Sequence, residues 1–204
     1  MMYRNCIKRI LAVLLSFLGI LCLGWLLIGL SIAIKLDSPG PVLFRQKRVG
    51  RGKSHFYILK FRTMRTDTPK DMPTHLLADP QQYITRVGRF LRRTSLDELP
   101  QLFNILVGHM AIIGPRPALW NQFDLIAERD KYGANDVRPG LTGWAQINGR
   151  DELEIDVKAR LDGEYVENLS FLFDLKCFLG TITAVLRSDG VVEGGTGAIQ
   201  KNGK

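Results

Sequence analysis

The sequence has little of what disulfide frameworks and histidine metal sites require. It contains three cysteines and three histidines among 204 residues. Cys6, Cys22 and Cys177 form no C-x-x-C pair, which argues against both a zinc site and a disulfide framework. The histidines are scattered without the spacing of metal ligands. We therefore interpret the thiols as reduced and the histidines as structural or surface residues.

The chain also lacks an internal repeat and a nucleic-acid-binding motif with interleaved aromatics. Its net charge of +8 is therefore not interpreted as a nucleic-acid surface, and no nucleic-acid partner is expected. Two other interpretations of the charge stay open. It can attract the chain to anionic lipid, at about 1 kcal/mol for each nearby Lys or Arg, or it can bind a polyanionic substrate.

One long hydrophobic run is present. Residues 10–34 are 25 consecutive uncharged, mostly apolar positions. As a helix this run would measure about 37 Å, enough to cross a hydrocarbon core of about 30 Å. A signal peptide would have a shorter apolar stretch of about 7–15 residues and an A-x-A-like cleavage site, which this run lacks. The sequence predicts a membrane-inserted helix within residues 1–36 and chemistry at a membrane surface.

Both flanks of the run are basic, which bears on how the helix meets the membrane. Positive charge retains a flank in the cytoplasm, so a simple crossing would place one basic flank on the wrong side. A helix that enters and leaves on one face avoids this conflict. Gly19, Gly24 and Gly29 offer backbone freedom for such a break, although the run contains no proline. From the residues alone, crossing and re-entry both stay open.

The rest of the chain predicts one catalytic domain over residues 37–188, followed by a mobile Gly-rich tail over residues 189–204. Alternation around a Gly-rich turn predicts a β-hairpin from Val42–Val49 and His55–Met64. Helical spacing of apolar residues predicts helices over Gln81–Arg93, over a stripe of Leu99, Leu102, Phe103 and Leu106, and over Trp120–Tyr132, Glu154–Asn168 and Ser170–Arg187. The last of these belongs either to the core or to the membrane interface. The predicted fold class is α+β, mostly helical, with a short hairpin and interfacial helices.

An acidic pair lies in the segment Ser95-Leu96-Asp97-Glu98-Leu99-Pro100, which predicts a helix start. Ser95 and Glu98 have the spacing of a capping box. Alternatively, Asp97 is the N-cap and Pro100 falls in the first turn. Either arrangement places two carboxylates among free backbone N–H groups, which keeps them ionised and favours phosphate nearby. Ordinary capping is the simplest interpretation of these residues, and catalysis is the alternative.

Several arginines accompany the pair in stiff or turn-forming sequence. Arg92 and Arg93 precede it, Arg116 lies between two prolines, Arg138 precedes Pro-Gly, and Arg150 follows Asn-Gly. Arginines in such segments are suited to bidentate recognition of phosphate. Together with paired carboxylates they indicate a diphosphate site with a divalent metal.

Four motifs then match a family in its own order. They are Phe56-x-x-x-Lys60-Phe61-Arg62-Thr63-Met64, Ser95-Leu96-Asp97-Glu98-Leu99-Pro100-Gln101-Leu102-x-Asn104, Gly114-Pro115-Arg116-Pro117, and Arg138-Pro139-Gly140-x-Thr142-Gly143-Trp144-Ala145-Gln146-x-Asn148-Gly149-Arg150. In these residues the chain resembles the bacterial sugar transferases known as monotopic phosphoglycosyl transferases. The resemblance covers nearly the whole chain.

The resemblance implies transfer of a sugar-1-phosphate from a UDP-sugar to a polyprenyl phosphate, the first lipid-linked step of bacterial glycan assembly. It implies that Asp97 is the nucleophile, which releases UMP and holds the phosphosugar as an acyl phosphate. Glu98 would help Asp97 to hold Mg²⁺. The implied location is the inner leaflet of the bacterial cytoplasmic membrane, with the catalytic domain facing the cytoplasm.

Phosphate contacts are assigned to Arg116, Arg138, Arg150 and Arg92, with Lys60 as a weaker candidate. Asp162 and Tyr165 also resemble family positions; their roles are left open, with packing favoured. The family's membrane helix is re-entrant, and many members break it at a Ser-Pro pair that is absent here. The basic flanks and the resemblance together favour re-entry.

One alternative function is a non-catalytic basic membrane adaptor for a glycan-assembly complex, which the anchor and the charge alone would allow. A membrane-tethered nucleic-acid binder is a weaker alternative, because it rests on charge alone. The transferred sugar, the glycan pathway and the oligomeric state, including a homodimer, stay open.

Overall fold

A computed structural model of the chain describes residues 2–68, 79–149 and 153–187. Within these ranges the protein is mostly helical, with seven α-helices and two small two-stranded sheets. The predicted α+β class with a short β-hairpin is confirmed. Most of the loop between residues 66 and 79, the tail over residues 189–204, and Arg150 lie outside the described residues.

The N-terminal helix α1 spans Lys8–Asp37 and follows a single π-helical turn, Tyr3–Ile7. It is one continuous α-helix of 30 residues, so the glycines do not break it. Within the described ranges, α1 alone is long and apolar enough to cross a membrane, a judgement from length and composition.

Helix α1 lies along the rest of the protein instead of projecting from it. Near its start, Ala12 packs in a cluster with Ile105 and Met110. Near its end, Leu30 and Ile34 pack in a second cluster. These two contact regions are about 33 Å apart at 1.5 Å per residue, so the domain supports the helix over most of its length.

Polar contacts attach both ends of α1 to the same domain. The Lys8 ammonium lies 2.6 Å from the Asp174 carboxylate. At the other end, the Asp37 carboxylate accepts a hydrogen bond from the Val87 backbone N–H at 3.0 Å. The opposite face of α1 exposes large apolar side chains at Ile10, Leu14, Leu15, Phe17, Leu18, Leu21, Trp25, Ile28, Ile32 and Leu36.

The predicted hairpin is present. Strand β1, Leu43–Val49, pairs antiparallel with β2, His55–Phe61, in a register that sets Gln46 opposite Ile58. The turn between them holds Gly52 at φ 61°, a left-handed conformation that glycine adopts without steric cost.

Two helices and an intervening turn follow. Helix α2 spans Arg86–Thr94, and the Thr85 hydroxyl caps it by accepting from Gly88 N. A single 3₁₀ turn, Leu96–Glu98, leads to α3, Gln101–Val107. The predicted apolar stripe on α3 is confirmed in part, because Leu99 and Leu102 pack against the core. It is wrong for Phe103, which is 41% exposed, and it missed the buried residues Gln101, Asn104 and Ile105. Helix α3 presents its Asn104 side to β2, because the Asn104 amide hydrogen-bonds to the backbone of that strand.

The second half of the chain contains a parallel pair that the sequence did not predict. Strand β3, Ala111–Ile113, pairs with β4, Gly140–Thr142. Strands of three residues show too little alternation to be recognised from a pattern. The remaining helices are α4, α5, α6 and α7, over Phe123–Asp130, Trp144–Ile147, Ile155–Glu167 and Phe171–Arg187.

Helix α7 has two different faces. Asp174 and Cys177 are buried, so one face belongs to the core. The other face exposes Phe171, Leu172, Leu175, Phe178, Leu179 and Ile182. Of the two interpretations left open for this helix, assignment to the core therefore holds for one face of α7.

Asp162 and Tyr165 of α6 have packing roles. The Asp162 carboxylate accepts from Arg129 Nη2 at 2.5 Å, and both residues are almost fully buried. The Tyr165 hydroxyl lies 2.7 Å from Asp174 and also contacts Lys8. These contacts join α6 to α4, α7 and α1.

Candidate active site

The acidic pair lies on the 3₁₀ turn and caps no helix. Ser95 adopts the left-handed region at φ 55° and makes no side-chain cap to the turn that follows. The residue that precedes α3 is Pro100, also without a side-chain cap. Both capping interpretations of the segment are therefore wrong. Because neither carboxylate caps a helix, the presence of two adjacent carboxylates, Asp97 and Glu98, on this turn needs another explanation.

Glu98 is held by two cations. Its Oε1 atom accepts from Lys60 Nζ and from Arg116 Nη2, each at 2.7 Å. The Glu98 side chain is 12% exposed. Burial by itself would raise the pKa of this carboxyl, but the charges of Arg116 and Lys60 outweigh it and hold the pKa well below its usual range. Glu98 is thus an ionised carboxylate held in one position, and its Oε1 atom already accepts two hydrogen bonds.

Asp97 is equally enclosed but much less engaged. Its side chain is 13% exposed, and Lys60 Nζ lies 3.8 Å from its Oδ2 atom. Among the described residues, no group donates a hydrogen bond to this carboxylate. Burial and the neighbouring Glu98 charge raise the pKa of Asp97, although Lys60, Arg92 and Arg116 oppose them. The two carboxylates of the pair therefore differ. Glu98 is held by hydrogen bonds, whereas Asp97 is the more basic of the two and accepts no hydrogen bond from the described residues.

Lys60 reaches the pair because α3 is docked on β2. The Asn104 side chain donates to Tyr57 O and accepts from Leu59 N, both at 2.9 Å. These two bonds fix the strand one residue before Lys60. Asn104 belongs to the second of the four motifs and had no predicted role. The sequence did contain a signal, because a polar residue inside an apolar helical segment indicates a side chain that hydrogen-bonds to another element.

Arg92 and Arg116 approach the pair from different elements. Arg92 is in the last turn of α2, and its Nε donates to the Thr63 hydroxyl at 2.9 Å. Arg116 follows β3 and stands between two prolines, which restrict its backbone. The positive charges of both residues lower the pKa of Asp97, and Arg116 also contacts Glu98 directly. The structure thus brings together Asp97, Glu98, Lys60, Arg92 and Arg116.

Arg138 is not part of this group. Its Nε donates to Gly108 O at 3.1 Å, and it lines a cavity with Arg9 and Arg51. Burial lowers the pKa of Arg138, and the charges of Arg51 and Arg9 lower it further. Arg150, the other predicted phosphate contact, lies outside the described residues.

The donor set bears on the expected Mg²⁺. In the part of the chain that the structure describes, no three His, Cys, Asp or Glu side chains gather to hold a metal ion. Mg²⁺ commonly binds through one or two carboxylates together with substrate phosphate oxygens and water. Asp97 and Glu98 fit that mode, because they offer two adjacent carboxylates in a setting that would also attract a diphosphate.

Comparison with known proteins agrees with the motifs. The family model described as "Bacterial sugar transferase" matches residues 3–188. An uncharacterized sugar transferase, EpsL of Bacillus subtilis, is 38% identical over 185 residues, covering 91% of this chain and 90% of that protein. A UDP-glucose:undecaprenyl-phosphate glucose-1-phosphate transferase of Caulobacter vibrioides is 42% identical over 192 residues, covering 89% and 70%.

Longer relatives match over part of their length. The Escherichia coli enzyme with the same name as the Caulobacter protein is 39% identical over 190 residues, which cover 86% of this chain and 39% of that protein. This chain therefore corresponds to a fraction of some relatives and to nearly the whole of EpsL. The predicted resemblance is confirmed: the chain belongs to the bacterial sugar transferase family.

Proposed function

We propose that this chain is a phosphoglycosyl transferase that moves a sugar-1-phosphate from a UDP-sugar to undecaprenyl phosphate. Relatives in Escherichia coli and Caulobacter are named for transfer of glucose-1-phosphate to that lipid. A relative in Aeromonas hydrophila, 37% identical over 190 residues, is named for N-acetylgalactosamine instead. The family framework therefore supports the reaction class and leaves the sugar open.

The single observation that carries the proposal is the difference between the two carboxylates. Glu98 is fixed by Lys60 and Arg116, whereas Asp97 accepts no hydrogen bond from the described residues. A carboxylate nucleophile must be free to approach phosphorus, and a raised pKa makes its oxygen more basic. A non-catalytic adaptor would have no need of such an arrangement.

In the first step, an Asp97 carboxylate oxygen attacks the β-phosphorus of the donor. A bond forms between that oxygen and phosphorus, the bond to the bridging oxygen breaks, and UMP leaves with the bridging electron pair. The product on the protein is an acyl phosphate that carries the sugar. Lys60, Arg92 and Arg116 offset the repulsion between carboxylate and diphosphate. Mg²⁺, held by Asp97 and Glu98 together with donor phosphate oxygens, would supply further charge neutralisation when bound.

In the second step, a phosphate oxygen of the lipid attacks the same phosphorus. The new phosphorus–oxygen bond makes the polyprenyl diphosphosugar, and the Asp97 carboxylate is released unchanged. A phosphate monoester with a second pKa near about 6 is already ionised at neutral pH, so the acceptor needs no strong general base. This is consistent with the absence of a histidine from the described residues around the pair.

The same proposal places α1 within one leaflet of the inner membrane, with the domain on the cytoplasmic side. Support comes from the contacts at both ends of the helix, Lys8 with Asp174 and Asp37 with Val87. A full crossing would separate these ends by the thickness of the bilayer and carry part of the domain into hydrocarbon. The exposed apolar faces of α1 and α7 would contact lipid at the interface.

The decisive experiment measures UMP release from a panel of UDP-sugars in the absence of lipid acceptor. We expect the wild-type protein to release about one equivalent of UMP and to gain the mass of a phosphosugar. Asp97→Asn should reduce UMP release by at least about 10³-fold, as loss of a covalent nucleophile does elsewhere. Asp67→Asn is the matched control, because Asp67 forms an exposed ion pair with Arg65, and it should behave as wild type. UMP that appears only after polyprenyl phosphate is added would refute the two-step reaction.

A further inference from the structure

A second cationic site lies apart from the acidic pair. It is a cavity of about 340 Å³ beside the start of α1. Among the described residues, its lining contains one carboxylate, that of Asp136. The cations of this described lining are Arg4, Lys8, Arg9, Arg51 and Arg138. A cavity with this imbalance of charge calls for an explanation, because like charges in proximity are costly.

Neutral acceptors orient these cations without neutralising them. The Arg9 guanidinium donates to Ile105 O and Leu106 O at 2.5 and 2.9 Å. The Nε atoms of Arg51 and Arg138 each donate to a backbone carbonyl at 3.1 Å. Within the described ranges, the terminal guanidinium nitrogens of Arg51 and Arg138 have no acceptor, so they are available to a ligand.

Repulsion among the arginines also favours an anion bound in the cavity. Burial lowers the pKa of Arg138, and the charges of Arg51 and Arg9 lower it further. An anion between the three guanidinium groups would remove that repulsion. Lys8 does not take part in this imbalance, because Asp174 neutralises it at 2.6 Å.

The cavity is separate from the acidic pair. Ala12 of α1 lines the cavity, whereas Leu96 and Leu99, which flank the pair, pack against the cluster that contains Ile34. The residues grouped around the pair, namely Lys60, Arg92, Asp97, Glu98 and Arg116, are all absent from the described lining of the cavity. A ligand in this cavity would therefore contact a different set of residues from a diphosphate bound at the pair.

We propose that this cavity binds a phosphate group, either of an anionic phospholipid headgroup or of a free phosphate. Arginine guanidinium groups bind phosphate oxygens bidentately, which matches a cavity lined by four of them. The cavity adjoins the start of the apolar helix α1, where a lipid headgroup would lie if α1 is embedded as proposed above. The phosphate site itself does not depend on catalysis at Asp97.

The test uses the full chain, purified in a neutral detergent, and isothermal titration calorimetry. The probes are short-chain phosphatidylglycerol, short-chain phosphatidylcholine and inorganic phosphate. The double variant Arg51→Gln/Arg138→Gln removes two cavity charges. Its matched control is Arg65→Gln/Lys131→Gln, which removes two charges from exposed ion pairs elsewhere.

We expect phosphatidylglycerol to bind at least about 10-fold more tightly than phosphatidylcholine, with that preference lost in the double cavity variant and kept in the control. Equal binding of inorganic phosphate, also lost in the cavity variant, would identify a free phosphate as the ligand. Arg4→Gln, at an exposed position of the cavity lining, should weaken binding by about 3-fold and serves if the double variant does not fold.

Two results would overturn the proposal. The first is no preference for either phosphate probe over phosphatidylcholine. The second is binding that persists unchanged in both Arg51→Gln/Arg138→Gln and Arg4→Gln. Asp97→Asn protein separates this inference from the proposed reaction, because it should lose UMP release and still bind phosphatidylglycerol.

Discussion

Replacement of Arg116 by Gln tests how the site uses its cations. Arg116 Nη2 lies 2.7 Å from Glu98 Oε1, and Nη1 lies 3.5 Å from Oε2. Glutamine removes the charge and keeps a polar side chain of moderate length. Glu98 would then be held by Lys60 alone, and Asp97 would lose one of the three charges that favour its ionised form.

The magnitude follows from the burial of the pair. Two unit charges about 4 Å apart interact by about 4 kcal/mol at an effective dielectric constant near 20. Lys60 remains, so the net loss should be that of one hydrogen bond to a charged group, about 1.5–3 kcal/mol. At 1.36 kcal/mol for each factor of ten, this predicts a fall in kcat/KM of about 10- to 150-fold.

The assay is kcat/KM for UMP release, measured across pH on wild type, Arg116→Gln and Arg116→Lys. Lysine keeps the charge but not the paired nitrogens, so its activity should lie between the other two. Because Arg116 lowers the pKa of both Asp97 and Glu98, its removal should move the acid limb of the profile to higher pH.

A kcat/KM for Arg116→Gln within about twofold of wild type would show that Arg116 does not supply a charged hydrogen bond that the reaction uses. A lysine variant no better than the glutamine variant would contradict the prediction as well, since charge would then not matter. Arg65→Gln is the matched control, because its ion pair with Asp67 is largely exposed and contributes little. That variant should match wild type in both rate and pH profile.

Two further predictions concern the framework of the site. Gly88→Ala should lower Tm clearly, because the new Cβ would overlap the Thr63 carbonyl oxygen. Gly24→Ala, with nothing within 4 Å of its Cβ, should keep or raise Tm, because alanine favours a helix interior more than glycine does. Equal Tm values for the two variants would contradict the close approach of α2 to the Thr63 backbone. Asn104→Ala should destabilise the protein by about 2–4 kcal/mol in chemical unfolding, because two backbone groups of β2 lose their partner, and an unchanged unfolding free energy would show that the strand is held by other means.

Several elements of the fold could be predicted from local sequence patterns. Alternation in Val42–Val49 and the Gly-containing turn predicted the hairpin, because strand and turn preferences act over a few residues. The apolar run predicted a long helix for the same reason, but the break considered at Gly19, Gly24 and Gly29 does not occur. Helices α6 and α7 were predicted to within a residue or two of their observed ends.

The motifs in the sequence also identified the family and predicted Asp97 and Glu98 as the residues that carry the chemistry. Their local pattern misled in one respect, since the spacing of Ser95 and Glu98 suggested a cap that does not form. A capping box depends on where the helix begins. Here, the packing of the segment places a 3₁₀ turn before α3 instead.

Tertiary structure alone decided how the charged residues are grouped. Lys60 contacts Glu98, 38 positions away in the sequence, because Asn104 docks α3 on β2. Arg138 instead lies with Arg9 and Arg51 in the cavity beside the start of α1. The difference between Asp97 and Glu98 likewise arises from burial and from partners distant in the chain. Sequence pattern encodes interactions between near neighbours, but the pairing and desolvation of charges depend on which elements pack together, and packing is settled only when the whole chain has folded.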